Sequence, residues 1–137
     1  MKAINKLLGI LFISFLATAC ATTSFKLDKK YTFASELEEA TGITDFRIES
    51  WQHIDFQSLI VEANINEYYL IILQQPAPML PSSETIGITV SINRVRPGYD
   101  KIVVSDSTGS ESYIIQKIYK LKDKEHAKEI KARLKKS

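Results

Sequence analysis

Tyr68, Tyr69, Leu70, Ile71, Ile72 and Leu73 are apolar without interruption. The run is short and rich in aromatic and β-branched side chains, which favour a strand over a helix. Successive strand residues point to opposite faces, so a strand with no polar side must be covered on both. The fold therefore needs a sheet with this strand in its centre and a layer on each face. Residues 85–93 carry the opposite message. Ile86, Ile88, Val90 and Ile92 alternate with Gly87, Thr89, Ser91 and Asn93, the pattern of a strand with one wet face.

Four more segments read as strands. Phe46, Ile48 and Ser50 alternate with Arg47, Glu49 and Trp51, and residues 58–63 form a second run. Asn64, Ile65 and Asn66 then fit a hairpin turn, because Asn tolerates left-handed backbone. Pro76, Pro78 and Pro81 deny backbone donors to residues 74–83 and bar an interior strand there. Arg96-Pro97-Gly98-Tyr99 fits a type II turn. Residues 101–105 form a short strand, 106–110 a polar turn and 112–121 a longer strand.

Helices flank the β region. Ser35-Glu36-Leu37-Glu38 has capping-box spacing, and Gly42 supplies a stop for a short helix. Near the C-terminus Asp123 caps a helix over 122–136. Ala127, Ile130 and Leu134 form its one narrow apolar stripe, and Glu129 and Arg133 stand at favourable i,i+4 spacing. The expected fold is mainly β (α+β): a small antiparallel meander forming a barrel or sandwich, with a short N-terminal helix and a C-terminal helix.

The N-terminus carries an address. Lys2 and Lys6 precede an apolar stretch from Leu7 to Leu16, and Ala17, Thr18 and Ala19 lead into Cys20, the only cysteine. A basic start, an apolar stretch and small residues at the cut make a secretory signal. With a cysteine directly after the small residues, the segment resembles the lipobox of bacterial lipoproteins. The resemblance implies cleavage before Cys20, acylation of its thiol and amine (palmitate among the acyl groups), and membrane anchoring through lipid. Ala21 is not the Asp that retains such proteins at the inner membrane, which implies the outer membrane, facing the periplasm. An ordinary secretory cut after Ala19 and a retained N-terminal helix are the alternatives. The apolar stretch is short for a membrane span of about 20 residues.

On that reading residues 1–19 are a signal peptide, 20–30 a lipidated tether and 31–137 a single domain. The 118 residues left after cleavage suffice for one modest core. With Cys20 acylated, the domain has no disulfide, thiolate metal site or cysteine nucleophile, and packing alone must hold it. The two lysines of the leader account for the whole formal charge of +2, so the mature chain is neutral. That neutrality hides an asymmetry. From Lys117 onward nine Lys/Arg face three Asp/Glu, a net of +6, and the remainder is −6. A basic tail suits an anionic lipid or an acidic protein face in the envelope. Lys124, Lys128, Lys131 and Lys135 are its expected contact surface, unless they form a plain solvated face. Nucleic acid does not fit an exported chain.

The remaining chemistry is sparse. His53 and Asp55 sit two apart and form an acid–base couple only if both are buried on one face. His126 falls in the first turn of the C-terminal helix. Neither histidine has a second ligand at zinc spacing, and no phosphate loop or nucleophile elbow occurs. No cofactor or metal is expected. Glu62 interrupts an apolar strand and either faces solvent or pairs with Arg94 or Arg96. Trp51, Tyr68, Tyr69, Tyr99 and Tyr113 either line a groove or fill strand faces.

Residues 43–121 resemble a family of uncharacterised small proteobacterial lipoproteins, a domain of unknown function. The matching pieces are Ile48 with Trp51, Tyr69-Leu70 with Leu73, Gly98-Tyr99-Asp100, and Ile115 with Ile118. Many relatives place cysteines where this chain has Pro76-Ala77-Pro78 and Ser112-Tyr113, so a family-type disulfide is lacking. The resemblance implies no activity. The expected function is a non-enzymatic, membrane-anchored binding or structural module. The alternative is a periplasmic small-ligand carrier, or an enzyme inhibitor using a protruding loop at 74–83.

Overall fold

A computed structural model describes residues 27–137 of the chain. The expected leader, Cys20 and most of the expected tether lie outside the described residues. A 3₁₀ helix at Lys29–Glu36 leads into β1 (Glu38–Glu39), β2 (Ile43–Thr44), β3 (Ile48–His53), β4 (Ser58–Ala63) and β5 (Glu67–Leu73). After a loop come β6 (Thr85–Ile88), β7 (Arg94–Val95), β8 (Lys101–Asp106), β9 (Gly109–Leu121) and helix α1 (Lys124–Lys135).

Seven strands form one curled antiparallel sheet, a half-barrel in the order β3-β4-β5-β9-β8-β6, with β1 also on β9. The mainly β architecture with flanking helices is the one expected, but the sheet is not a plain meander. The 13-residue β9 is its spine. Residues 109–114 pair with β8, and the stretch from Ile115 to Leu121 pairs with β5. A bulge between Ile72 and Leu73 marks the change, where bending curls the sheet. The separate pair β2–β7 adds Ile43 and Val95 to the inner core.

The sheet has two cores, one on each face. The inner one gathers Leu59, Val61, Tyr69, Ile71, Ile102, Val104, Ile115 and Ile118. The outer one sets Ile60, Tyr68, Leu70, Ile72, Tyr119 and Leu121 against Tyr31 and Ala34 of the 3₁₀ helix and Ala127, Ile130 and Leu134 of α1. The strand at 68–73 is thus central and dry on both faces, as its composition demands. Residues 74–83 do not protrude. Ala77 and Leu80 are fully buried in the inner core, and the Ala77 amide donates to the Phe56 carbonyl at 2.6 Å.

Three local expectations are corrected. The capping-box helix does not form: Ser35 lies in the last turn of the 3₁₀ helix, its hydroxyl donates to the Thr32 carbonyl, and Glu38–Glu39 pairs with β9 instead. Gly42 serves close approach, since a Cβ there would meet the Val95 carbonyl oxygen at 2.6 Å. The strand at 85–93 ends at Ile88. The Ser91 hydroxyl donates to the buried Asp100 carboxylate at 2.9 Å, and Ile92 and Asn93 take φ of 56° and 55° in a turn closed by the Ser91–Arg94 bridge. Val90 and Ile92 are left exposed. In the third correction, Arg133 pairs not with Glu129 but with Glu36, and its guanidinium covers the Phe33 ring.

Candidate functional site

An open groove of about 130 Å³ runs between α1 and the outer face of β3 and β4. Its helical wall follows from simple rules. The Asp123 carboxylate accepts from the His126 amide at 2.8 Å, fixing the start of α1 only two residues after β9. Burial of Ala127, Ile130 and Leu134 then sets the rotation of the helix. Lys124, Lys128 and Lys131, at i, i+4 and i+7, fall together beside that stripe and line the groove. Lys135, expected with them, is exposed and is not part of the lining.

The sheet wall contains a three-residue ladder. Cross-strand register puts Ser50 opposite Glu62 and Glu62 opposite Tyr68. Ser50 Oγ donates to Glu62 Oε2 at 2.9 Å and Tyr68 OH donates to Glu62 Oε1 at 3.0 Å. These two bonds, with a smaller contribution from Lys124, hold the Glu62 carboxyl below its ordinary pKa. Burial, reinforced by Glu62, raises the Tyr68 phenol. Arg94 and Arg96 are not its partners: Arg94 donates to Thr41, and Arg96 lies over the Tyr99 ring.

Three ammonium groups thus face one carboxylate that already accepts from two neutral donors. Lys131 Nζ donates to Gln52 Oε1 at 2.6 Å, and burial, together with Lys135, lowers its pKa. Lys128 makes a solvent-exposed pair with Glu125. The groove lining carries three lysines against one carboxylate and contains no histidine or cysteine.

The other sequence candidates have different roles. Asp55 does not couple to His53. Its carboxylate accepts from the Gln57 and Ser58 amides at 2.7 and 2.9 Å and from Tyr31 OH, and pairs with Lys30 at 3.0 Å. It fastens the 3₁₀ helix to the β3–β4 turn. Burial pushes its pKa up, but the Gln57 amide and Lys30 outweigh that and hold it below the ordinary value. His126 Nδ1 accepts from the Lys122 amide. Tyr68, Tyr69 and Tyr113 fill the cores, Trp51 is half-buried at the groove, and Tyr99 is exposed. Among the described residues, no three His, Cys, Asp or Glu stand together to hold a metal, and no helix is long and apolar enough to cross a membrane.

The Ser50–Glu62–Tyr68 ladder escaped sequence reading, although a signal for it was present. A hairpin centred on Ile65 places Tyr68 opposite Glu62 by counting outward from the turn. The buried Asp100, which organises residues 91–100 through Ser91 and the Arg96 amide, had no such signal.

The molecule is a half-barrel with a docked basic helix and a lysine-lined groove. The chain belongs to a family of unknown function, DUF6491, whose model matches residues 3–137. No curated protein and no solved structure matches it.

Proposed function

We propose that this protein is a lipid-anchored lipoprotein of the outer membrane, facing the periplasm, and that its domain is a non-enzymatic binding module with α1 as its contact surface. The observation that carries the binding role is the row Lys124, Lys128 and Lys131 along one open groove. The anchor rests on the basic, apolar and small-residue leader before Cys20, and the family match takes in that leader.

Removing α1 is a poor test, because its stripe closes the outer core. Charge reversal at Lys124, Lys128 and Lys131 keeps that stripe. Envelope crosslinking of the triple variant should lose the partners seen with the natural protein, and an unchanged set would remove α1 from the contact surface. For the anchor, metabolic labelling with a palmitate analogue should mark the natural chain and not Cys20→Ser. Equal labelling of both would overturn it.

A further inference from the structure

We propose that the free edge of β3 accepts an extended acidic peptide strand from a partner protein, paired backbone to backbone, with its carboxylates beneath the lysines of α1. This deepens the preceding reading and rests on α1 being the contact surface.

Among the described residues β3 ends the sheet and pairs with β4 alone. The Ile54 amide donates to the Ser58 carbonyl at 2.9 Å. Antiparallel ladders alternate between bonded and non-bonded pairs, so the backbone groups of Ser50 and Gln52 also face β4. Those of Trp51 and His53 then point off the sheet, and among the described residues no strand pairs with them. Natural edges are usually blunted by lysine, proline or a bulge. β3 contains neither lysine nor proline. Its one irregularity lies between Ile48 and Ser50, which leaves the pairing from Ser50 to His53 regular.

The cations that would blunt such an edge stand across the groove. α1 packs over β5 and β9 and turns its lysines toward β3: Lys124 lines the groove with Ser50 and Glu62, and Lys131 bonds Gln52. Along the helix the three lysines are spaced about 6 and 4.5 Å apart. Same-face side chains of an added strand repeat at about 6.8 Å. Acidic residues at alternate positions can therefore each meet an ammonium group. Lys131 bonds an amide oxygen and lies near Lys135, and Glu62 already accepts from Ser50 and Tyr68. Charge complementarity thus selects an acidic strand, while main-chain bonds supply the affinity, as in other strand-addition sites.

The test uses the full chain and a panel of acetylated peptides of about seven residues, alternating Glu with Val, Thr or Tyr. Trp51, the only tryptophan, lies on the edge strand and reports binding by fluorescence. Hydrogen exchange reports on the Trp51 and His53 amides. Glu peptides should bind roughly tenfold or more tightly than Gln-for-Glu counterparts, and reversing the three lysines should remove that margin. Bound peptide should protect both amides, and N-methylation along one edge of the peptide should abolish binding. The proposal fails if no peptide perturbs Trp51, if exchange at Trp51 and His53 is the same free and bound, or if only anionic vesicles bind through the lysines. Lost envelope crosslinks in the lysine variant without edge protection would sink strand addition alone. Unchanged crosslinks and no peptide binding would sink both readings.

Discussion

The half of the sheet built on β4, β5 and the C-terminal part of β9 is dry on both faces; the half built on β6, β8 and the N-terminal part of β9 is dry on one. In the first, Leu70, Ile72, Tyr119 and Leu121 are covered by α1 and the 3₁₀ helix. In the second, the outward positions are occupied by residues such as Thr85, Lys101 and Ser112, all exposed, while Ile102 and Val104 fill the inner core. The same strand, β9, serves both halves. Covering layers, rather than strand pairing, therefore distinguish them, and the groove lies where the covering helix stops short of the sheet edge.

Leu70→Ala tests the dry half most severely. Leu70 is fully buried in the outer core, so urea denaturation should show a loss of about 2–5 kcal/mol. Asp55→Asn removes the fastening of the 3₁₀ helix and should cost about 1–3 kcal/mol at neutral pH. The sign with pH follows from its lowered pKa. The Asp55 contribution is complete above the unfolded carboxylate value near 3.9 and is lost as pH falls through the lower folded value. Natural and variant stabilities should therefore converge in acid, and parallel pH curves would refute the assignment.

Smaller effects belong to the wet half. Ile92 is 93% exposed and holds a left-handed φ that costs a β-branched residue backbone energy. Ile92→Gly should raise stability by about 1 kcal/mol in the same titration; a loss would show that the Ile92 side chain has a folded-state role. Val103, outward on β8 and half-buried beside Gly87, should tolerate Ala at under about 0.5 kcal/mol. A cost matching that of Leu70→Ala would erase the distinction between the halves.

Legibility followed the range of the forces involved. β4 and the Asp123 cap were readable to the residue, and so was the buried stripe of α1. The turn at Arg96-Pro97-Gly98-Tyr99 was also readable, with Gly98 at φ 81°. Each depends on neighbours within a few positions. The break at Ile88 was not readable, because the alternation runs on to Asn93, Ile92 opposes the left-handed turn that Asn93 favours, and Ser91 is held by the buried Asp100. The capping-box helix failed because pairing of Glu38 and Glu39 with β9 outweighed a local cap. For the candidate site, three of the four expected lysines share the groove. The opposing ladder and the open edge depend on which strands become neighbours.

The sequence by itself determined which strand has two dry faces, which face α1 buries and where its lysines align. Those are consequences of side-chain periods of two and 3.6 along a local chain. Only the tertiary structure decided that β9 lies between β5 and β8, that β3 is left at an edge, and that α1 stands beside it with a groove between. Those outcomes come from pairings between residues far apart in the chain, settled by packing two cores on one curled sheet.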